Sequence, residues 1–263
     1  MAQALEGRLA LVTAASRGLG RASAEALAQA GCDLVICSRD QASVVRTAEE
    51  IRRASGRQVV PVVADLSRAA DVQAALEAAL SLHGRVDVLV SNTGGPPPGP
   101  FMGFDDAAWQ GAFDSLLMPA VRLARGVVPG MQAQGWGRIL FVTSSAVKQP
   151  LPQLVLSNSL RAAVTGMAKT LAGQVARDGI TVNCVAPGRI LTDRVKFLDG
   201  EAAKGSGRTM EEVQAEQATR IPAGRYGEPR EFGEVVAFLA SPGAAYITGS
   251  TLAVDGGIIS SLL

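Results

Sequence analysis

Short apolar runs alternate along the chain with stretches in which apolar residues recur at helical spacing. The runs predict seven strands, at 9–12, 33–37, 59–63, 86–90, 138–142, 180–185 and 251–254. The helical patterns lie between them, at 18–30, 40–55, 69–82, 105–133, 153–177 and 229–240. This alternation is typical of βαβ units with parallel strands. No linker or change of composition interrupts it. Residues 1–263 are therefore predicted to form a single doubly wound α/β domain, with a seven-stranded parallel sheet and helices on both faces.

Two segments fall outside the alternation. Residues 94–103 are rich in glycine and proline and predict a stiff loop. Residues 189–227 are polar and charged, and they contain one helical pattern near 210–219. Because long loops in compact domains are often lids, we expect a substrate lid near 189–227.

Composition narrows the classes of function. The chain is 48% hydrophobic with a formal net charge of +1, so neither nucleic acid nor an anionic membrane is an expected partner. No apolar run approaches the ~20 residues of a membrane span. The first eight residues lack the apolar core of a signal peptide, and we expect a cytoplasmic protein.

Cysteine and histidine do not indicate a metal or a hydrolase. Cys32, Cys37 and Cys184 lie in or beside apolar strands without a CxxC motif, and are predicted to be buried thiols in a reducing compartment. No metal is expected. The only histidine, His83, precedes the fourth strand and should lie at the amino edge of the sheet. A Ser-His-Asp hydrolase would need it at the opposite edge.

Residues 9–20 predict a strand, a glycine-containing turn and the start of a helix. Gly18 and Gly20 have no Cβ, so phosphate groups could approach the main chain there. The helix N-terminus offers free N–H groups and a positive dipole end. Two glycines alone fit a tight turn without a ligand equally well, and the spacing is not G-x-G-x-x-G.

The residues that follow the strands together resemble the short-chain dehydrogenase/reductase family. The resemblance covers the chain in order and rests on six motifs, at residues 13–20, 65–66, 91–94, 143–145, 187–192 and 249–257. It implies a Rossmann domain that binds a nicotinamide dinucleotide, and the pattern is 3-oxoacyl-[acyl-carrier-protein] reductase-like. The positions that it assigns to the cofactor are Thr13, Ser16, Arg17, Gly18, Leu19, Gly20, Ser38, Arg39, Asp65, Leu66, Asn92, Gly94, Arg161, Pro187, Gly188, Ile190 and Thr192.

Two features of these positions concern whether a dinucleotide binds and which dinucleotide it is. Ala14 replaces the first glycine of the family loop, and because one methyl group is a modest intrusion we expect binding to survive. The second strand ends in Ser38-Arg39, without the carboxylate that an NAD site requires. Arg17 and Arg39 are suited to a 2′-phosphate, which predicts NADP(H). In the alternative interpretation, Arg39 merely precedes Asp40, the N-cap of the next helix.

The chain departs from the family at its catalytic residues. The resemblance implies an Asn, a Ser and a Tyr-x-x-x-Lys pair. Here Leu116 stands at the Asn position, Ser157 at the Tyr position and Arg161 at the Lys position, which defines a divergent branch lacking Tyr-x-x-x-Lys. Arg161 can bond ribose hydroxyls, but with a pKa above ~12 it cannot give up a proton. Ser157 is too weak an acid to donate one unaided.

The remaining candidates for catalysis lie nearby in the sequence. Ser144, or alternatively Ser145, could bind a substrate oxygen. Lys148 is the candidate proton donor, since a desolvated lysine beside Arg161 would have a lowered pKa, although a solvated loop lysine fits the same pattern. Tyr226 is a weaker candidate. The predicted catalytic residues are Ser144, Lys148, Ser157 and Arg161.

Two functions follow from this reading. The first is an NADPH-dependent oxidoreductase that reduces a small-molecule carbonyl, a 3-oxoacyl thioester or similar ketone, to an alcohol. The second is a redox-inactive NADP(H)-binding sensor or scaffold. The resemblance also implies a homotetramer, with which helices 105–133 and 153–177 and the apolar C-terminus 258–263 are compatible.

Overall fold

The computed structural model describes residues 4–261, and in it seven strands form one parallel sheet. The strand order is β3-β2-β1-β4-β5-β6-β7. The strands are β1 (Leu9–Val12), β2 (Asp33–Ser38), β3 (Val59–Val63), β4 (Val88–Ser91), β5 (Gly137–Val142), β6 (Ile180–Pro187) and β7 (Thr251–Val254). The predicted fold class is confirmed. The order reverses between β1 and β4, which is where doubly wound sheets bind ligands.

Helices cover both faces of the sheet. They are α1 (Gly18–Gln29), α2 (Gln41–Ser55), α3 (Ala69–His83), α4 (Asp106–Ala112), α5 (Met118–Gln134), α6 (Val155–Val175), α7 (Asp193–Ser206), α8 (Met210–Thr219) and α9 (Pro229–Ala240). Buried residues of α1, α2 and α9 pack against one face, and those of α3, α5 and α6 against the other. Alternate residues of each strand point to opposite faces, so Val12 joins the first core and Leu11 the second.

The predicted helix at 105–133 contains one irregular turn. A π-helical turn, Phe113–Leu117, separates α4 from α5. Pro119 lies in the first turn of α5 and has no N–H, so the hydrogen bond from residue 119 to the carbonyl of residue 115 cannot form. The chain is helical throughout residues 106–134, so the predicted helix is confirmed, with this π-helical turn as an irregularity within it.

The segment 189–227 contains more regular structure than its sequence predicts. The helix near 210–219 is present as α8, but α7 precedes it. The side chain of Thr192 caps α7 by accepting a hydrogen bond from the Val195 N–H at 3.4 Å. A buried aspartate, Asp199, occupies the inner face of α7 where an apolar residue would mark a helix. The hydrophobic pattern therefore does not reveal α7.

The amino edge of the sheet holds His83, as predicted. His83 ends α3, and its Nε2 lies 2.9 Å from Oδ2 of Asp33. The three cysteines are buried free thiols. Within residues 4–261 there is no cluster of three or more histidine, cysteine or acidic side chains arranged to bind a metal. None of the helices in that range is long and apolar enough to cross a bilayer.

Candidate active site

One cavity of about 1010 Å³ opens at the carboxyl edge of the sheet. This volume is at the upper end of the ~300–1,000 Å³ typical of small-molecule sites. Most of the predicted site residues line it, and they come from seven separate stretches of the chain. Those residues are Ser16, Arg17, Gly18, Leu19, Ser38, Arg39, Asp65, Leu66, Asn92, Gly94, Ser144, Ser157, Arg161, Pro187, Gly188, Ile190 and Thr192. Three others, Thr13, Gly20 and Lys148, are not part of the wall.

The N-terminus of α1 opens into this cavity. Arg17 is the N-cap residue, but no side chain caps the helix and its first turn contains no acidic residue. The first N–H groups of α1 therefore have no intrahelical or capping partner and can receive an anion. Gly18 has φ +57°, and the nearest side-chain atom to a Cβ built there is Thr192 Cγ2 at 3.5 Å. A phosphate fits this arrangement.

Thr13 ties the glycine loop to β4 instead of lining the cavity. Its hydroxyl donates to the carbonyl of Asn92 at 2.6 Å and accepts from the Asn92 N–H at 2.9 Å. The side-chain amide of Asn92 in turn donates to the carbonyl of Ala14 at 3.3 Å. These bonds give Thr13 a role in holding the loop, and its contact with the cofactor stays a prediction.

Ala14 and Gly20 meet inside the loop. A Cβ on Gly20 would lie 2.3 Å from the carbonyl oxygen of Ala14, so Gly20 is needed for close packing and not for access of a ligand. Ala14 itself has φ +47°, the left-handed region that favours glycine. The replacement of glycine at position 14 therefore carries a conformational cost, whereas the sequence pointed only to a steric one.

The side of the cavity beyond β2 is rich in polar donors. The hydroxyl of Ser16 donates to Ser38 Oγ at 2.9 Å, and Arg39 lines the wall beside them. Asp40 caps α2 by accepting from the Ser43 N–H at 2.7 Å, so its predicted role as N-cap is confirmed, and the binding of a 2′-phosphate by Arg39 stays a prediction. Arg17 forms an exposed ion pair of 3.5 Å with Asp193 across the cavity mouth.

Asp65 lies on the same side with its carboxylate already engaged. It accepts hydrogen bonds from the Ser67 N–H at 3.1 Å and the Ser67 hydroxyl at 2.9 Å. The bond from the Ser67 main chain is the largest cause of a lowered pKa of Asp65, to which the charge of Arg39 contributes. Asp65 is therefore held as a carboxylate on the cavity wall.

Two serines lie on the wall at the opposite end. Ser144 follows β5, and its Oγ accepts from the Ala146 N–H at 3.1 Å. Ser157 is buried in the first turn of α6. Between them a short 3-10 helix, Ser145–Val147, is followed by Lys148, which does not reach the cavity wall. Lys148 is thus not among the residues that line the cavity, and its role as proton donor stays a prediction.

Arg161 crosses from α6 to the ends of two strands. It donates through Nη1 to the carbonyl of Val142 at 2.8 Å and through Nη2 to the carbonyl of Gly94 at 3.2 Å. Burial lowers the pKa of Arg161 to about 10, and the charge of Arg194 lowers it further in the same direction. The side chain is therefore a cation at neutral pH, although its pKa is lower than the value above ~12 expected from the sequence.

Arg194 is a cavity residue that the sequence reasoning missed. It lies in the first turn of α7, and Nη2 donates to the carbonyl of Pro96 at 2.7 Å. Burial lowers the pKa of Arg194 as well. In the sequence, Arg194 is marked only by its position two residues after Thr192. Its contact with Pro96 joins distant parts of the chain, so local sequence does not predict it.

Tyr226 and Asn158 are engaged away from the cavity. The hydroxyl of Tyr226 donates to Oδ2 of buried Asp199 at 3.0 Å, and the other carboxylate oxygen of Asp199 pairs with Arg189 at 2.5 Å. Desolvation raises the pKa of Tyr226 to about 12. Asn158 donates to the carbonyl of Leu151 at 2.8 Å. Both side chains act in the packing of their own segments.

Comparisons with known proteins agree with this architecture. The family model described as Enoyl-(Acyl carrier protein) reductase matches residues 13–259. The 3-oxoacyl-[acyl-carrier-protein] reductase FabG of Vibrio harveyi is 35% identical over 254 residues, which are 97% of this chain and 98% of that protein. Dehydrogenase/reductase SDR family member 4 of Bos taurus is 35% identical over 259 residues, 98% of this chain and 89% of its own.

Solved structures are similar over the full length. The L-sorbose reductase of Gluconobacter frateurii, complexed with NADPH and L-sorbose, has a TM-score of 0.94 and 35% identity, with 100% of both chains covered. An actinorhodin polyketide ketoreductase with NADPH has a TM-score of 0.93 and 31% identity, over 99% of this chain and 100% of the other.

The sheet order and the position of the cavity define a doubly wound α/β protein of the class that binds dinucleotides at the carboxyl edge of its strands. Within that class, the chain belongs to the short-chain dehydrogenase/reductase family.

Proposed function

We propose that this protein is an NADP(H)-dependent oxidoreductase that reduces a small-molecule carbonyl to an alcohol. The observation that carries the proposal is a single cavity that joins the uncapped N-terminus of α1 to Ser144, Ser157 and Arg161. The relatives named above are reductases and dehydrogenases, and two of the similar structures hold NADPH. This favours catalysis over the alternative of a redox-inactive sensor or scaffold.

The cofactor phosphates would bind at one end of the cavity. The pyrophosphate fits the free N–H groups of α1 beside Gly18, and a 2′-phosphate fits Arg17, Arg39 and Ser38. When bound, NADPH supplies a hydride to the substrate carbon. Arg161 lies at the opposite end, and we propose that its several N–H groups serve a ribose hydroxyl of the cofactor as well as the substrate.

The chemistry would use side chains other than the family's Tyr and Lys, whose positions we assign to Ser157 and Arg161. The hydroxyls of Ser144 and Ser157 bind the carbonyl oxygen, and the buried cation of Arg161 stabilises the negative charge that develops on it. The proton then comes from a weak donor, a serine hydroxyl in exchange with water. Because general acid catalysis typically contributes ~10²–10⁴-fold, the reaction is expected to be slow.

Residues 189–227 are proposed to form a lid over the substrate. Arg194, Val195 and Leu198 of α7 line the cavity. The Arg189–Asp199–Tyr226 network and a short bridge between Ile190 and Gly227 hold the two ends of the segment together. These contacts tie the two ends of the segment to each other. The substrate class that relatives support is a 3-oxoacyl thioester or a similar ketone.

A homotetramer is also proposed. The strand β7 is an edge of the sheet, and Leu252 in it is 41% exposed. Phe238 of α9 and Tyr246 beside β7 are exposed as well. An apolar sheet edge of this kind is suited to pairing with another copy. The last two residues of the expected apolar C-terminus, 262–263, lie outside the described residues. Sedimentation of the purified protein tests the assembly.

The activity is tested with a panel of ketones and 3-oxoacyl thioesters while NADPH absorbance is followed. Turnover that falls at least tenfold in Ser144→Ala, and less than threefold in Lys148→Ala, would support these roles. A large loss of turnover in Lys148→Ala would instead identify Lys148 as the proton donor. Tight NADPH binding by titration with no turnover of any carbonyl would favour the sensor instead.

A further inference from the structure

Two arginines face the cavity without an acidic partner. Arg161 donates only to the main-chain carbonyls of Val142 and Gly94. Arg194 donates to the carbonyl of Pro96, and its guanidinium carbon lies 5.6 Å from the centre of the Phe197 ring. Over residues 4–261, neither side chain forms an ion pair with a carboxylate. Arg161 lines the cavity, and two of its five N–H groups donate to these carbonyls.

The two guanidinium groups bracket one short stretch of main chain. They bind the carbonyls of Gly94 and Pro96, on either side of Gly95. A Cβ on Gly95 would lie 2.6 Å from Nε of Arg194, so the absence of a side chain lets the cation approach. Their mutual repulsion contributes to the lowered pKa of Arg161. Arg161 is buried and Arg194 is half-buried, so both cations are partly withdrawn from water without an anion, and a bound anion would offset that cost.

The acidic residues of the cavity are engaged elsewhere. Asp193 pairs with Arg17 at 3.5 Å. Asp40 caps α2, and Asp65 accepts two hydrogen bonds from Ser67. The cavity wall also contains serine hydroxyls and the apolar side chains of Leu154, Leu156, Val195 and Leu198.

The phosphate end of the cavity does not account for these cations either. The proposed cofactor phosphates lie at α1, Arg17 and Arg39, beside β1 and β2. Arg161 and Arg194 instead lie beyond β4, at the end that holds Ser144 and Ser157. An anionic group at that end would therefore belong to the substrate.

We propose that the substrate is an oxo acid, whose carboxylate binds Arg161 and Arg194 while its ketone oxygen lies at Ser144 and Ser157. The inference rests on the proposed function and narrows its substrate class. A forked guanidinium matches a carboxylate in geometry and charge. In a 3-oxoacyl thioester the group next to the ketone is uncharged, so this substrate would leave both cations without a counter-ion. The oxo acid is therefore the better fit to this end of the cavity.

The first experiment compares acids with amides of the same shape. Initial rates with NADPH are measured for acetoacetate and acetoacetamide, and for 2-oxobutyrate and 2-oxobutyramide. The wild-type kcat/KM is expected to favour the acid of at least one pair about ten- to a hundredfold. Arg194→Gln should remove that preference. Lys196→Gln, which changes an exposed cation on the same helix, should retain it.

The second experiment needs no turnover. Acetoacetate and acetoacetamide are titrated calorimetrically into the complex with NADP⁺, where no hydride is available. Tighter binding of acetoacetate, lost in Arg194→Gln while NADPH binds within twofold of the wild type, supports the proposal even if every rate assay is negative; only the proposed function then fails. Equal binding of acid and amide, or an Arg194→Gln variant that weakens NADPH alone, overturns it.

Discussion

The guanidinium of Arg161 lies 2.8 Å from the carbonyl oxygen of Val142, so that α6 holds a buried cation against the end of β5. A second bond, to the carbonyl of Gly94 at 3.2 Å, ties the same side chain to the segment after β4. The two bonds fix the direction of the guanidinium without a carboxylate that would neutralise it. The charge is therefore available to a bound ligand or to a developing oxyanion.

Arg161→Met is expected to lower kcat/KM for a carbonyl substrate by about 10²–10³-fold, because the preorganised positive charge is lost. Arg161→Lys retains a charge but not the fork that spans Val142 and Gly94, and should fall between wild type and Arg161→Met. Steady-state kinetics with circular dichroism as a check of folding measure both. Equal rates for wild type and Arg161→Met would exclude an electrostatic role.

The assignment of Ser157 and Arg161 to the family's Tyr and Lys positions predicts a gain of function. The double variant Ser157→Tyr with Arg161→Lys restores the pair four positions apart on α6, where both side chains reach the cavity wall. A general acid of suitable pKa should raise kcat about 10²–10⁴-fold. Ser157→Phe with Arg161→Lys is the matched control, since it adds the ring without the hydroxyl. Equal rates in the two double variants would refute the assignment.

Selectivity for the phosphorylated dinucleotide depends on Arg39. Arg39→Gln is expected to weaken NADPH about ten- to a hundredfold and to leave NADH nearly unchanged, since only the former has a 2′-phosphate. Fluorescence titration gives both dissociation constants. Arg53→Gln, an exposed arginine in the last turn of α2, controls for the change in net charge. A parallel loss of affinity for both dinucleotides would assign Arg39 another role.

The parts of the fold that were predictable from sequence are those specified by local patterns. The strand β1 is a continuous apolar run, and the glycines after it mark the turn into α1. The helix α7 was missed because its buried position is occupied by Asp199, whose charge is compensated by Arg189, ten residues earlier in the chain. Local hydrophobicity cannot report a buried ion pair.

The residues of the candidate site also fall into those that local sequence predicts and those that it does not. Residues directly after strands were predictable, because parallel strands end at one edge. Arg194 was not, since its partner Pro96 is 98 positions away in sequence. The position of Lys148 was not predictable either, because it depends on the 3-10 helix Ser145–Val147, which turns the chain between Ser144 and α6. Thr13 and Gly20 have the expected motif positions, but their contacts with Asn92 and Ala14 are structural.

Because Ala14 has a left-handed conformation, a substitution at this position can increase the stability of the folded protein. Ala14→Gly is expected to stabilise the protein by about 1 kcal/mol, because glycine adopts φ +47° without the cost that an L-residue bears. Gly56→Ala is the reciprocal control: φ is +70° and a Cβ there meets nothing within 4 Å, so only the conformational cost is measured. Urea unfolding should shift the two variants in opposite directions. A destabilised Ala14→Gly would show that φ does not govern this position.

Glu231 joins the end of the proposed lid to α9. Its carboxylate accepts from Arg225 Nη1 and Nη2 at 2.8 and 2.6 Å, and from the Glu228 N–H at 2.7 Å. The bond with Arg225 is the largest cause that lowers the pKa of Glu231 to about 2. The unfolded chain binds this proton near pH ~4.3, the ordinary value for glutamate. The carboxylate therefore stabilises the folded state above that pH, and the contribution is lost as the pH falls towards 2.

This linkage predicts how Glu231→Gln changes stability with pH. The variant should unfold at lower urea concentration than wild type at pH 7, and the difference should shrink steadily between about pH 4.3 and pH 2. Glu234→Gln removes an exposed carboxylate from the same helix, where it pairs with Arg230 at 2.8 Å in an (i, i+4) arrangement. A surface pair of that kind contributes little, so this control should show a smaller difference at pH 7. A gap between wild type and Glu231→Gln that stays constant down to pH 3 would mean that the capping interaction does not depend on the charge of Glu231.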